Sequence, residues 1–193
     1  MKRSYNYLSR PNTMKKILYL YIAWSIMTGF VPCKKDDMPI YDAGAMEHGS
    51  VSACRNGNDW LASGSASFYA NDNGLVIIRG DMYDIGGVGS NKTETFSISK
   101  VPLQKGKYQL SNGNLSEMKP EASISFLDYD ALSYTYTLDE DKVSWVTLTE
   151  IDALNNHLKG CFEIYLTQIS SSYENAPDKL CFKKGEFSVD IIE

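Results

Sequence analysis

Few residues in this chain can do chemistry, and their spacing narrows what they could do. There are two histidines and four cysteines. His48 lies near a polar stretch, and His157 ends the polar connection Asn155-Asn156-His157. Neither context offers a serine or cysteine nucleophile, and no Gly-x-Ser-x-Gly turn occurs. Both histidines are expected as exposed loop residues, and no catalytic residue is assigned. Gly86-Gly87-Val88-Gly89-Ser90-Asn91-Lys92-Thr93 nearly matches a phosphate-binding loop, but Asn91 stands where the second glycine is required. Such a loop must also open a helix, whereas Thr95-Phe96-Ser97-Ile98 alternates like a strand, so nucleotide binding is not expected. Acids gather at Asp128 with Asp130 and at Asp139-Glu140-Asp141. Neither group has the calcium-loop spacing, and both suit hairpin turns; no metal and no cofactor is expected. Tyr134, Tyr136 and Trp145 lie on successive predicted strands. On an exposed face they would make a stacking platform for a sugar; otherwise they pair across strands in or beside a core. These three are the candidate ligand-binding residues.

Cys33 has a different setting. Residues 17–32 read ILYLYIAWSIMTGFVP, a charge-free run preceded by Lys15-Lys16. That is the positive-then-apolar order of an export signal, and it is shorter than the roughly 20 apolar residues of a stable membrane-spanning helix. Met14 fits the start of such a signal better than Met1. Cys33 closes the run, and Lys34-Lys35-Asp36-Asp37 follows. This order resembles a bacterial lipoprotein signal, in which the cysteine becomes the lipidated first residue. Phe30 and Pro32 depart from the usual leucine and small residue of that motif. Lys35-Asp36-Asp37 resembles a short surface-export signal of Bacteroidota lipoproteins. The expected organisation is a signal peptide at 1–32, a lipidated polar tether at 33–47 and one domain at 48–193.

The formal net charge is −5, and the first 32 residues hold five positive charges and no acid. Without them the remainder carries −10. An acidic domain repels nucleic acid, so no nucleic-acid partner is expected.

The elements that must position these residues are strands. Trp60, Ala62, Gly64, Ala66 and Phe68 alternate with Leu61, Ser63, Ser65, Ser67 and Tyr69, the period of a half-buried strand. Leu75 to Ile78 is a β-branched run expected to be buried. Asn56-Gly57, Asn71-Asp72-Asn73-Gly74 and Asn112-Gly113 are turn signals. Further strands are predicted over 95–98, 122–129, 132–138, 143–151, 159–168, 179–182 and 186–192. No window carries a helical apolar stripe. The expected fold is all-β, an antiparallel β-sandwich with a lipocalin-like barrel as the alternative. Trp60, Phe68, Ile77, Phe126, Val146, Leu148, Phe162, Ile164 and Phe187 are expected in the core.

Three motifs, in order, resemble a family of small Bacteroidota lipoproteins of unknown function. They are Ala53-Cys54-Arg55-Asn56-Gly57-Asn58-Asp59-Trp60, then Val146 to Asp152 followed by Gly160-Cys161-Phe162, and last Gly185-Glu186-Phe187. The resemblance implies an all-β domain in the cell envelope and brings no catalytic residue or ligand. As structure, Asn56-Gly57 suits a hairpin turn, and Gly160 and Gly185 would let strands pack closely.

Cys54, Cys161 and Cys181 remain for disulfides, which persist outside the cytoplasm. If Thr167 faces Lys179, Cys161 faces Gly185, and Cys181 lies about 13 Å along the strand at about 3.3 Å per residue. A bridge needs Cα atoms within about 7 Å. A Cys161–Cys181 bridge would therefore need a bulge; Cys54 with either of them, or no bridge, are the alternatives.

Together these features predict a lipid-anchored protein of the outer membrane, periplasmic or surface-exposed. It is expected to be a non-enzymatic binding or adhesion module for a glycan or another envelope protein, attached to the membrane through Cys33. An envelope hydrolase, or a lipocalin-like carrier of a small ligand, is the alternative.

Overall fold

A computed structural model describes residues 46–69, 72–83, 92–113, 118–128, 131–171 and 176–192. The export run, Cys33, the tether up to residue 45, residues 86–91 and Asp130 lie outside these residues.

Ten strands form one antiparallel sheet among the described residues. They are β1 (Gly49–Arg55), β2 (Asn58–Tyr69), β3 (Asp72–Tyr83), β4 (Lys92–Pro102), β5 (Gly106–Gln109), β6 (Glu121–Asp128), β7 (Ala131–Leu138), β8 (Trp145–Asp152), β9 (His157–Ser171) and β10 (Lys179–Asp190). The order is β10-β1-β2-β3-β4-β6-β7-β9-β8-β5, and β10 also pairs with β9. The pairings therefore run through eight strands and return to their start, with β8 and β5 branching from β9. β9 can do this because of its length. One edge lies on β10 along His157 to Thr167, while the other takes β8 along His157 to Glu163 and β7 along Leu166 to Ser171.

The predicted alternation of β2 is what the structure shows: Trp60, Ala62, Gly64 and Ala66 are buried and the residues between them are not. Inside, Trp60 meets Phe182 edge-on with ring centroids 5.2 Å apart, and Phe96 stacks on Phe162 at 5.3 Å. Facing parts of one curled sheet thus share a core, packed as a sandwich packs and paired as a ring. Val146, Leu148, Phe162, Ile164 and Phe187 are buried there, with Phe68 and Phe126 packed against the edge of the core.

Asn56 and Gly57 turn β1 into β2 with φ of 51° and 90°, as a two-residue hairpin with positive φ at both positions requires. Gly160 and Gly185 take up the predicted close packing: Phe187 lies across from Gly160, and Phe162 across from Gly185.

Several expectations need correction. Ile77 is not a core residue. The strand alternates, so Val76 and Ile78 point inward and Ile77 outward. The strands predicted at 179–182 and 186–192 are one strand, β10, carrying a bulge at Lys183 and Lys184. The hairpin predicted at 71–74 is present, closed by the Tyr69–Asp72 pair, but Asp72, Asn73 and Gly74 belong to β3, and Asn71 lies outside the described residues. Asn112 is not in a hairpin; its side chain donates to the Leu138 carbonyl at 2.8 Å. β5, the four-residue strand at the end of the sheet, was not predicted.

Candidate functional site

The outer face of the sheet carries an arrangement that the sequence analysis missed. His157 is not a loop residue. It opens β9, opposite Asp190 on β10 and opposite Asp152 on β8. Its Nδ1 lies 2.6 Å from Asp190 Oδ1, and its Nε2 lies 2.9 Å from Ser188 Oγ. Ser188 and Asp190 are two residues apart on β10, so both project from the same face of the strand. The imidazole reaches across from the neighbouring strand and bridges them.

An ionised carboxylate only accepts hydrogen bonds. Beside Asp190, the neutral ring therefore keeps its proton on Nδ1, and Nε2 accepts from the Ser188 hydroxyl. That is the polarity of an acid–imidazole–hydroxyl chain in which the base can take the hydroxyl proton. Asp152 is committed elsewhere: it accepts from Asn155 Nδ2 at 2.6 Å and from the Leu154 amide at 3.0 Å in the β8–β9 turn. The Asn155 side chain, then its amide, hold the Asp152 carboxyl below the usual carboxylate range.

Ser188 also lines an open groove of about 410 Å³ that crosses β8, β9, β10 and β1. Thr149, Lys159, Glu186, Ser50 and Ser52 supply its polar groups, and Cys161 is its thiol. All project outward, between inward residues such as Leu148, Leu158 and Phe187. Lys159 stands across the ladder from Ser188, and its Nζ rests 3.1 Å from Glu150 Oε2. β10 is paired on both edges here, with β1 and with β9. Its backbone amides serve those ladders, and the Lys159 ammonium leans the other way, to Glu150 on β8.

A second polar cluster lies inside, at the opposite end of the sheet from His157. Glu94, with a side chain 5% exposed, accepts from Trp60 Nε1 and from Arg55 Nη1, each at 2.6 Å. The Arg55 guanidinium lies 6.0 Å from the Trp60 and Phe126 ring centroids. Every charge here has a partner within the protein, so the cluster ties β1, β2 and β4 together.

The three aromatic candidates do not make one platform. Tyr134 and Tyr136 meet edge-on at 6.0 Å, and Tyr134 stacks on Phe126 at 4.3 Å. Tyr136 is fully buried and donates to the Pro177 carbonyl at 2.6 Å. Burial raises the pKa of both phenols. Trp145 faces outward on β8, under Lys107 Nζ at 4.0 Å from its ring centroid. Of the acids, Asp139 is buried against Lys179 at 2.7 Å. Among the described residues, no three His, Cys, Asp or Glu side chains gather to hold a metal ion. His48 is exposed, as expected.

Cys54 is in a disulfide, whereas Cys161 and Cys181 carry free thiols, so neither of these two bridges the other and neither is the partner of Cys54. The predicted pairing of Thr167 with Lys179 is present, and the bulge shifts Cys161 one residue further, to Glu186. Cys181 pairs with Tyr165, four residues from Cys161. The bulge thus lengthens a separation that was already too great for a bridge.

No protein-family model, curated protein or solved structure matches this chain.

Proposed function

We propose that the chain is an exported lipoprotein of the bacterial outer membrane, held by a lipid on Cys33, whose β domain is a binding module for a glycan. The outer groove across β8, β9, β10 and β1 carries this reading. Hydroxyls of Ser50, Ser52, Thr149 and Ser188, with one cation and one carboxylate, line a cleft of about 410 Å³. Such a surface offers hydroxyl, ammonium and carboxylate donors and acceptors to a polyhydroxylated chain. The filled, aromatic interior favours an outer ligand surface over a lipocalin-like cavity. The charge-free run at 17–32, ending at Cys33 and followed by a polar tether, supports the anchor, and the three ordered motifs support kinship with the Bacteroidota lipoproteins.

Affinity electrophoresis of the purified domain through gels containing neutral bacterial or plant polysaccharides tests the binding. Retardation by at least one polysaccharide is expected, and Ser52→Trp, which fills the groove, should abolish it. Equal retardation of the variant, or none of the wild type, overturns the reading. Membrane fractionation of wild type and Cys33→Ala tests the anchor. The variant should leave the membrane fraction. A Cys33–Cys54 disulfide in the mature protein would exclude a lipid thioether and overturn that part.

A further inference from the structure

The geometry points to an activity at the end of the groove: Ser188 is a nucleophile for carboxylic esters, with His157 as its base and Asp190 orienting the base. The inference rests on the groove as the ligand surface and adds a substrate class, an O-acylated polyhydroxylated compound. Three observations carry it. His157 joins the two other groups at 2.6 Å and 2.9 Å, through the nitrogens that the chemistry requires. The chain of groups is half-buried, with His157 24% and Asp190 42% exposed, so solvent reaches it while the neighbours fix its geometry. Ser188 itself lines the cleft in which an acylated ligand would lie. A histidine serving only to join two strands needs one partner; this one holds a hydroxyl in the position from which its proton can be taken.

In the reaction, Ser188 Oγ bonds to the ester carbonyl carbon as its proton passes to His157 Nε2. Asp190 stabilises the imidazolium. The bond to the leaving alcohol breaks, and the alcohol takes the proton from Nε2. Water then attacks the acyl-serine, giving its proton to Nε2. The bond to Ser188 Oγ breaks, the proton returns to the serine, and a carboxylic acid leaves. The β10 amides beside Ser188 serve the β1 and β9 ladders and are not free to face the oxyanion. Loss of one oxyanion donor costs about 10²–10³ in rate, so turnover is expected to be slow and acylation is the step to observe.

The test uses the purified domain with an alkyl fluorophosphonate and, separately, p-nitrophenyl acetate. One adduct per chain, mapped to Ser188, is expected, with a burst of p-nitrophenol. Ser188→Ala should remove both. His157→Gln should slow labelling by about 100-fold or more, the ordinary contribution of a general base, and Asp190→Asn should slow it with the sheet intact by far-ultraviolet circular dichroism. No adduct at Ser188 in folded wild type overturns the inference, and so does an equal labelling rate in folded His157→Gln. Because these reagents need no glycan, failure here is separable from failure to bind polysaccharide. Retarded but unlabelled protein leaves the binding reading standing alone, and labelled but unretarded protein removes only the glycan.

Discussion

Phe162 stands directly across the β9–β10 ladder from Gly185, and its ring occupies the space that a side chain at Gly185 would need. The next inward pair repeats the relationship in reverse, with the ring of Phe187 over Gly160. Each glycine gives room for the aromatic ring of the other strand.

Gly185→Ala and Gly160→Ala should therefore each destabilise the domain, because the added methyl overlaps a packed ring. Overpacking of this kind costs about 1–3 kcal/mol. Urea denaturation should show a lower midpoint with an unchanged slope. Gly160→Ala should be the worse of the two, since its methyl would also strike the Thr147 carbonyl.

Glu94 joins three strands through hydrogen bonds to Trp60 and Arg55. In Glu94→Ala the buried indole N–H loses its acceptor and the guanidinium its counter-charge. A loss of about 2–4 kcal/mol is expected, less than for a fully buried pair because Arg55 reaches solvent. The Trp60 emission spectrum should shift along with the melting temperature. An unshifted melting temperature would mean that this cluster does not hold β1, β2 and β4 together.

Asp139 and Lys179 give stability at both ends of the pH scale. The hydrogen bond from Lys179 holds the Asp139 carboxyl below its ordinary 3.8 and holds the Lys179 ammonium above its ordinary 10.5. The unfolded chain binds more protons at Asp139 than the folded one, so that contribution is present above about pH 4 and disappears as pH falls through the folded value. The Lys179 contribution is complete below 10.5 and disappears as pH rises through its higher folded value. Thermal melts against pH should steepen at both ends in the wild type, and Asp139→Asn should flatten both.

The Tyr165 phenol donates a very short hydrogen bond to Glu163 and is pushed up to about 12, first by that bond and then by burial. Ultraviolet titration should find one tyrosine ionising near that value, and Glu163→Gln should bring it down. No change between the two proteins would show that the bond does not form in solution.

Alkylation of the denatured, unreduced protein should modify Cys161 and Cys181 together. In the folded protein Cys181 should react slowly, because burial raises its thiol pKa. A bridge between the two would contradict the register of β9 and β10.

What could be read from the sequence was local. The alternation from Trp60 to Phe68 and the turn at Asn56-Gly57 follow from period and backbone chemistry within a dozen residues. The Thr167–Lys179 register followed from loop length. The continuity of β10 was hidden because Lys183-Lys184-Gly185 reads as a turn, although the sheet accommodates it as a bulge. Glu94 sits in Lys92-Thr93-Glu94-Thr95, which looks like a solvent-facing edge; only its long-range partners, Trp60 and Arg55, make burial tolerable. The His157 site was invisible for the same reason. Its partners lie 31 and 33 positions away, and Asn155-Asn156-His157 resembles the loop that it ends. Period-two alternation could have shown that Ser188 and Asp190 share a face, but not which residue stood opposite.

The double pairing of β10 also orders events in time. β1 must wait for a partner about 130 residues downstream, and β9 waits beside it. A chain emerging from its N-terminus can form the β1–β2, β2–β3 and β3–β4 hairpins early. It cannot seal the circle until residues 179–190 arrive, and closing so large a loop is slow. Until then two raw edges, on β1 and β9, stand ready to accept any extended chain. The final strand acts as a clasp, and a polypeptide stalled before it would be held open, able to pass through a narrow channel and prone to stick to its neighbours.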